Sequence, residues 1–256
     1  MILGAQFYTL RQHTQTNEGL EECFRRVKEI GYDNVQISGI GKEITAETLA
    51  ALSKKYEIPI ACTHTALNRI VEETEKVIAE HKLFGCTEIG LGSAPGEYRA
   101  TKEDVRKLID LLREPVRKIR EAGLTFAYHN HAFEFDTWED GSCMYDLLIA
   151  ETDWNFILDT YWVSYAGRNV TEYIRMLGSR VKNIHYKDMA EAPKGPICAC
   201  GNGVLDFEAI TAACLETGIE SALVEQDNAP DFVNGTEDEF TQMEISARHL
   251  RPIIYR

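Results

Sequence analysis

Eight short apolar segments alternate with longer amphipathic segments along this chain of 256 residues, and this alternation restricts the fold more than any other feature. Short segments that are apolar throughout are typical of a parallel sheet whose faces are covered by helices. Eight such units in succession favour a closed barrel over an open sheet. We therefore predict an α/β protein, a single (β/α)8 TIM barrel over residues 1–256. The predicted strands are 2–8, 34–38, 58–64, 87–92, 124–129, 155–159, 181–185 and 221–225.

The segments between the strands predict helices, because apolar residues recur in them at spacings of three and four. The pattern is clearest at 17–30, 69–84 and 102–122. Pro115 interrupts the last of these patterns and is expected to kink that helix. Glycine follows five helical patterns shortly before the next strand, where it suits the left-handed position that ends a helix. These glycines are Gly31, Gly85, Gly123, Gly178 and Gly218.

The longest irregular segment, 188–206, follows the seventh predicted strand. Long loops in compact domains are usually functional. The glycines of "GNG" at 201–203 are expected to turn the backbone sharply before a helix that starts near Asp206. They lack the spacing of a phosphate-binding loop, and no dinucleotide fingerprint is present, so we predict no organic cofactor.

The net charge is −14, which disfavours binding to the phosphate backbone of nucleic acids. Seven cysteines are scattered along the chain, and only Cys198 and Cys200 lie close together. That pattern favours reduced thiols and a cytoplasmic location. The first residues lack the basic region of a secretory signal, and no apolar run reaches the roughly 18 residues of a membrane span. We expect no nucleic-acid or membrane partner. The sequence does not decide between a monomer and a homo-oligomer.

Polar residues end the last four predicted strands. His129 ends the fifth strand, Asp159 the sixth, His185 the seventh and Glu225 the eighth. In a TIM barrel the active site lies at the C-terminal ends of the strands, so these groups are expected to converge. Imidazole and carboxylate ligands suit Mn²⁺, Fe²⁺, Co²⁺ or Zn²⁺ better than soft Cu⁺. The pattern predicts one divalent metal ion.

Five motifs follow one another along the chain: "YHNHAFEF" (128–135), "LDTYWV" (158–163), "IHYKD" (184–188), "GNGVLDF" (201–207) and "VEQD" (224–227). In this order they resemble the xylose-isomerase-like barrel superfamily, often called sugar phosphate isomerases/epimerases, over essentially the whole chain. The resemblance implies a metal-dependent barrel that acts on sugars, keto-sugars or cyclitols. By match to the family motifs, it implies that Asp159, His185 and Glu225 are metal ligands.

The fifth strand departs from the family pattern. Many relatives have a glutamate ligand at the position of His129. Two interpretations remain open: Glu134 reaches back to the metal as the fourth ligand, or His129 is itself the ligand. In the epimerase branch a second glutamate shortly after this strand contacts the substrate, so the resemblance gives Glu134 a role in either case.

Three residues are candidates for catalysis. His129 and His131 share a strand face, and a histidine can transfer a proton near neutral pH. Lys187 shares the face of His185 and could hold a substrate oxygen or stabilise an enolate. The candidates for substrate binding are Trp162, which could stack on a sugar, and His64, Tyr8 and Gln6 near the ends of earlier strands.

These residues predict a divalent-metal-dependent sugar isomerase or epimerase that removes a proton next to a carbonyl group. The metal would polarise the carbonyl and stabilise an enediolate. The paired histidines of "HNH" resemble the inosose dehydratase and keto-sugar branches, so a dehydratase or lyase on a keto-sugar, keto-glycoside or inosose is the alternative. An endonuclease IV-like repair enzyme and a non-catalytic sugar-binding barrel are remote alternatives.

Overall fold

The eight predicted strands form a closed parallel barrel in the computed structural model, which describes residues 1–231 and 238–256. Each strand pairs with its neighbours in parallel, and the last strand closes on the first with Ile2 opposite Ser221. The prediction of a TIM barrel is confirmed. The barrel strands are β1 Ile2–Gln6, β2 Asn34–Ile37, β3 Ile60–His64, β4 Glu88–Leu91, β5 Thr125–His129, β6 Asn155–Asp159, β7 Val181–Tyr186 and β10 Ser221–Val224.

Helices surround the barrel, and their apolar faces pack on the outer face of the sheet. The pattern at 69–84 forms two helices because the backbone leaves the helical region at Glu73, with φ −122° and ψ 29°. Pro115 lies inside one continuous helix and does not end it. The helices are α1 Asn17–Ile30, α2 Ala46–Tyr56, α3 Leu67–Glu72, α4 Thr74–Leu83, α5 Lys102–Glu121, α6 Met144–Glu151, α7 Thr160–Tyr165, α8 Val170–Leu177, α9 Phe207–Thr217 and α10 Glu239–Ile254.

None of the helices in the described ranges is long and apolar enough to cross a membrane. The predicted glycine stops are present: Gly31 and Gly218 have φ of 104° and 79° in the left-handed region. Gly178 differs, because its ψ of −128° lies outside the left-handed helical region. A short 3-10 turn begins at this residue.

The long loop after β7 is organised around the buried side chain of Asp188. A two-stranded antiparallel hairpin, β8 Asp188–Met189 with β9 Ile197–Cys198, begins the loop. The Asp188 carboxylate accepts hydrogen bonds from the backbone N–H groups of Gly201 and Gly203 at 2.9 and 3.0 Å. A Cβ at position 203 would lie 2.4 Å from Asp188 Oδ1, so this close approach requires glycine. Asp206 then caps α9, as predicted, by accepting from the N–H of Ala209.

A polar cluster occupies the N-terminal end of the barrel. Glu88, the first residue of β4, is buried and accepts hydrogen bonds from Asn183 at 2.8 Å and Asn155 at 3.0 Å. Burial raises the pKa of this carboxyl despite those hydrogen bonds. Polar groups at this end of a TIM barrel serve stability, because the active site lies at the other end.

His81 on α4 makes the free energy of unfolding sensitive to pH. Its Nδ1 donates to the Val77 carbonyl at 2.7 Å, and its Nε2 accepts from the Thr63 hydroxyl at 2.8 Å. Burial lowers the pKa of His81 to about 4, whereas an unfolded histidine titrates near 6.5. The unfolded chain therefore binds more protons between these pH values. The stabilisation is complete above pH 6.5 and is lost as the pH falls toward 4.

A His81→Gln variant is therefore expected to lose less stability on acidification than the wild type. Between pH 7 and pH 4.5 the difference in the change of unfolding free energy should be about 2 to 3 kcal/mol. Urea unfolding at several pH values measures this difference. Parallel pH profiles for the two proteins would contradict the assignment.

Candidate active site

Alternation along the strands places four candidate metal ligands at the C-terminal end of the barrel. Successive side chains of a strand point to opposite faces, so residues two apart share a face. In each of four strands a residue deeper inside the barrel precedes the candidate ligand by two positions. The pairs are Ala127 and His129 in β5, Ile157 and Asp159 in β6, Asn183 and His185 in β7, and Leu223 and Glu225, which directly follows β10.

The four groups converge on one point, where one ligand atom from each lies within 4.8 Å of all the others. His129 Nε2 lies 3.4 Å from Asp159 Oδ2, and His185 Nδ1 lies 3.6 Å from the same oxygen. His185 Nδ1 also lies 2.9 Å from Glu225 Oε2. All four side chains are buried. The geometry thus brings together three sequence-predicted ligands and, from the fifth strand, His129.

Hydrogen bonds on the outer side of the His129 and His185 rings determine which ring nitrogen faces the other three candidate ligands. His129 Nδ1 lies 2.9 Å from the carbonyl oxygen of Gly92, which can only accept, so Nδ1 carries the proton and Nε2 presents its lone pair. His185 Nε2 donates to Gln36 Oε1 at 2.6 Å and leaves Nδ1 facing Glu225. Partners of this kind are typical of histidines that bind a metal.

Lys187 lies beside the same carboxylates and is fully buried. Its ammonium nitrogen is 3.0 Å from Asp159 Oδ2, 2.8 Å from Glu225 Oε2 and 3.1 Å from Asp227 Oδ2. Burial opposes its charge, but the three carboxylates outweigh burial and raise the pKa of Lys187 well above its usual value. Burial would raise the pKa of Asp159 and Glu225, but Lys187 together with His129 and His185 outweighs burial and holds both pKa values below their usual range.

The donor set fits a divalent cation. Burial raises the pKa of Asp227 only to about 6, so this carboxyl is ionised at neutral pH. Asp159, Glu225 and Asp227 then face the single ammonium group of Lys187, which leaves two negative charges uncompensated. His185 Nδ1 is buried without a hydrogen-bond partner, although it lies next to Glu225 Oε2. Burial disfavours a charged His185, yet Glu225 and Asp159 raise its pKa. These carboxylates therefore favour a positive charge at this point. Two imidazoles and two carboxylates suit Zn²⁺, Mn²⁺, Fe²⁺ or Co²⁺.

Glu134 lies outside this group. Its Oε1 accepts a hydrogen bond from the Tyr128 hydroxyl at 2.7 Å, and its Oε2 accepts from the backbone N–H of His131 at 2.7 Å. The side chain is fully buried, and burial raises its pKa to about 7 against these two hydrogen bonds. The structure therefore separates the two fifth-strand candidates: His129 faces the other ligands, and Glu134 supports the backbone at His131.

His131 faces a cavity of about 320 Å³ at the barrel mouth. Its ring packs against those of His129 and Trp162, with centroids 4.8 and 5.6 Å away. Burial and then the nearby His129 and Lys187 lower the pKa of His131 to about 3. The ring is therefore neutral at physiological pH, and its Nδ1 has no hydrogen-bond partner.

The predicted substrate-binding residues divide into two groups. Tyr8 and His64 line the cavity together with His129, His131 and Lys187. Two others do not line it: Gln6 is buried with its Oε1 accepting from the N–H of Tyr8, and the indole nitrogen of Trp162 has no partner. The Lys187 ammonium lies 5.5 Å from the centroid of the Trp162 ring, which places that ring at the edge of the site.

Four further residues at the mouth were not singled out from the sequence. Gln36 orients His185, and Ser38 lies 3.3 Å from His64 Nδ1. Both are polar residues in the second predicted strand, so a search of every strand end would have found them. Asp227 lies in the "VEQD" motif but was given no role. Arg11 also lines the cavity, and its sequence context gives no comparable signal.

Comparisons with known proteins agree with this architecture. Residues 24–253 match the family model described as the xylose isomerase-like TIM barrel. An inosose dehydratase of Clostridium perfringens is 26% identical over 204 residues, which cover 65% of this chain and 67% of the relative.

Solved structures of similar fold cover nearly the whole chain. A sugar phosphate isomerase/epimerase of Parabacteroides distasonis superposes with a TM-score of 0.80 and 20% identity, covering 99% of this chain and 100% of the other. The IolI protein with a bound zinc atom superposes with a TM-score of 0.73 and 20% identity, covering 99% and 98% of the two chains. At these identities the likeness concerns the fold alone.

Proposed function

Because the chain belongs to the xylose isomerase-like TIM barrel family, we propose that it is a divalent-metal-dependent dehydratase of keto-sugars or keto-cyclitols. It removes a proton next to the carbonyl group and then expels a β-hydroxyl group as water. The observation that carries the proposal is the buried group of His129, Asp159, His185 and Glu225 beside a cavity that is lined by the neutral ring of His131 and by Lys187. The similarity to an inosose dehydratase supports the same reaction class.

The chain supplies the ligands and the surrounding charges. His129, Asp159, His185 and Glu225 would hold the metal, which as a Lewis acid makes the carbon next to the carbonyl more acidic. The buried ammonium of Lys187 is available to stabilise negative charge that develops on a substrate oxygen. Its three carboxylate neighbours keep it charged and fixed in position.

Proton transfer is assigned to His131. The ring is neutral, and it takes the proton from the substrate carbon while the C–H electron pair forms an enolate. The imidazolium then returns that proton to the β-hydroxyl group, the C–O bond breaks, and water leaves. One residue can perform both steps on the same face of the substrate. A single proton-transferring residue suits this site, because both oxygens of Glu134 already accept hydrogen bonds from Tyr128 and from the backbone of His131.

Epimerisation or isomerisation, our prediction from the sequence, is the second candidate. Reprotonation on the opposite face requires a second proton carrier in the mouth. Asp227 is such a group, because it lines the cavity, is partly exposed and has a pKa raised by burial to about 6. The likeness to a sugar phosphate isomerase/epimerase is compatible with either outcome, since it concerns the fold.

The reaction is tested in D₂O with protein loaded with Mn²⁺, Co²⁺ or Zn²⁺ and with inososes and keto-sugars as substrates. We expect NMR to show loss of water, a slower reaction for substrate deuterated next to the carbonyl, and no turnover after chelation of the metal. An epimer that carries deuterium at that carbon would instead establish the second candidate. A His131→Ala variant should lose about 10²- to 10⁴-fold in rate. Conversion of a substrate without an isotope effect or exchange would exclude proton abstraction as a rate-determining or reversible step and contradict the proposal.

A further inference from the structure

Arg11 brings an uncompensated positive charge to the mouth of the barrel. Its side chain lines the same cavity as His131 and Lys187. Among the side chains that the structure describes, those of residues 1–230 and 238–256, no carboxylate oxygen lies within 4.0 Å of its guanidinium group, the limit for an ion pair.

Backbone contacts hold the guanidinium group in place. Arg11 Nη1 donates to the carbonyl of Tyr8 at 3.0 Å, and Nη2 donates to the carbonyl of Asp227 at 2.9 Å. The group also lies over the Tyr8 ring, 4.4 Å from its centroid. These contacts link the loops after β1 and β10. They use two of the five N–H donors of an arginine and leave the others for a ligand.

The carboxylate of Asp227 is turned to another partner. Although Arg11 contacts the backbone of Asp227, the Oδ2 atom of Asp227 lies 3.1 Å from Lys187. Lys187 is thus surrounded by carboxylates, whereas Arg11 has only neutral oxygens as partners. Of the two cations that line the cavity, Arg11 is the one without a carboxylate partner among the described side chains.

We propose that Arg11 binds an anionic substituent of the substrate, a carboxylate or a phosphate remote from the reacting carbon. Guanidinium groups form paired, charge-assisted hydrogen bonds with both kinds of anion. The substrate class is then an acidic sugar derivative. This inference rests on the proposed function for the identity of the site, but it concerns a residue that takes no part in the proton transfer.

The test measures binding without turnover. Methyl glucoside, methyl glucuronide and methyl glucoside 6-phosphate differ only at the sixth carbon and lack the ketone that the reaction needs. Titration calorimetry of the Zn²⁺-loaded protein should show that at least one anionic ligand binds about 10- to 100-fold more tightly than methyl glucoside. The glucuronide and phosphate arms distinguish a carboxylate from a phosphate ester.

Variants assign the preference to Arg11. Arg11→Met should abolish the anion preference, measured as the ratio of the affinity for the anionic ligand to the affinity for methyl glucoside, and Arg11→Lys should keep part of it. Arg168→Met is the matched control, because it removes the same charge from an exposed arginine outside the cavity. Equal affinities for all three ligands, absence of anion binding, or a preference that survives in Arg11→Met would each overturn the inference. Failure of the proposed reaction would show in the deuterium experiment instead.

Discussion

An Asp159→Asn variant is expected to bind the metal about 100-fold more weakly and to lose about 1000-fold or more in turnover. Asp159 Oδ2 faces both His129 and His185, so its charge lies at the centre of the ligand group. The substitution removes that charge but keeps Oδ1, which caps α7 by accepting from the N–H of Trp162 at 3.0 Å. The loss should therefore appear in metal titration and activity assays without a large change in melting temperature.

Glu88→Gln is the matched control for this variant. Glu88 is likewise a buried carboxyl of the barrel, but it lies at the opposite end and bonds to Asn155 and Asn183. Metal affinity in this control should stay at the wild-type value, whatever happens to stability. If Asp159→Asn binds metal as tightly as the control does, the proposed centre is wrong.

The strands and their polar ends were predictable because both follow from local rules. A parallel barrel strand must be apolar where helices cover it, so its position could be predicted from the sequence with ends within two residues of the observed ones. The fold then placed the end of each strand at one mouth. Asp159, His185 and His129 each end a run of apolar residues, and the barrel brings them together as expected.

Contacts made through the backbone or between distant strands were not predictable in the same way. The carbonyl of Gly92 orients His129, yet a carbonyl group is present in every residue. Gln36 reaches His185 from the other side of the barrel, across 149 positions of sequence. The break at Glu73 depends on two dihedral angles, because the apolar spacing continues through it.

The role of Glu134 shows the limit of periodicity. Beyond His129 the strand ends, so alternation no longer fixes the direction of a side chain. Residues 133–135 form a 3-10 turn, which directs the Glu134 carboxylate toward Tyr128 and the N–H of His131. Position in the sequence left both candidates open for the fourth ligand, and the hydrogen bonds of the turn distinguish them.

His129→Ala and Glu134→Gln are therefore expected to have different effects. His129→Ala removes a nitrogen whose lone pair faces Asp159, so metal affinity should fall about 100-fold and turnover with it. Glu134→Gln keeps an acceptor for Tyr128 or for the N–H of His131, but not the same pair of acceptors. It should bind metal normally and lower turnover about 10-fold or more, because the position of His131 is disturbed.

Metal titration and turnover measured on both variants separate the two assignments. Since Glu134 acts on the proton-transferring residue through its backbone, its substitution should change kcat more than the affinity for a substrate analogue. Loss of metal in Glu134→Gln with retention in His129→Ala would exchange the two roles and make Glu134 the ligand. That exchange would require the carboxylate to leave two hydrogen bonds of 2.7 Å and turn into the barrel mouth, which is why we expect the first pattern.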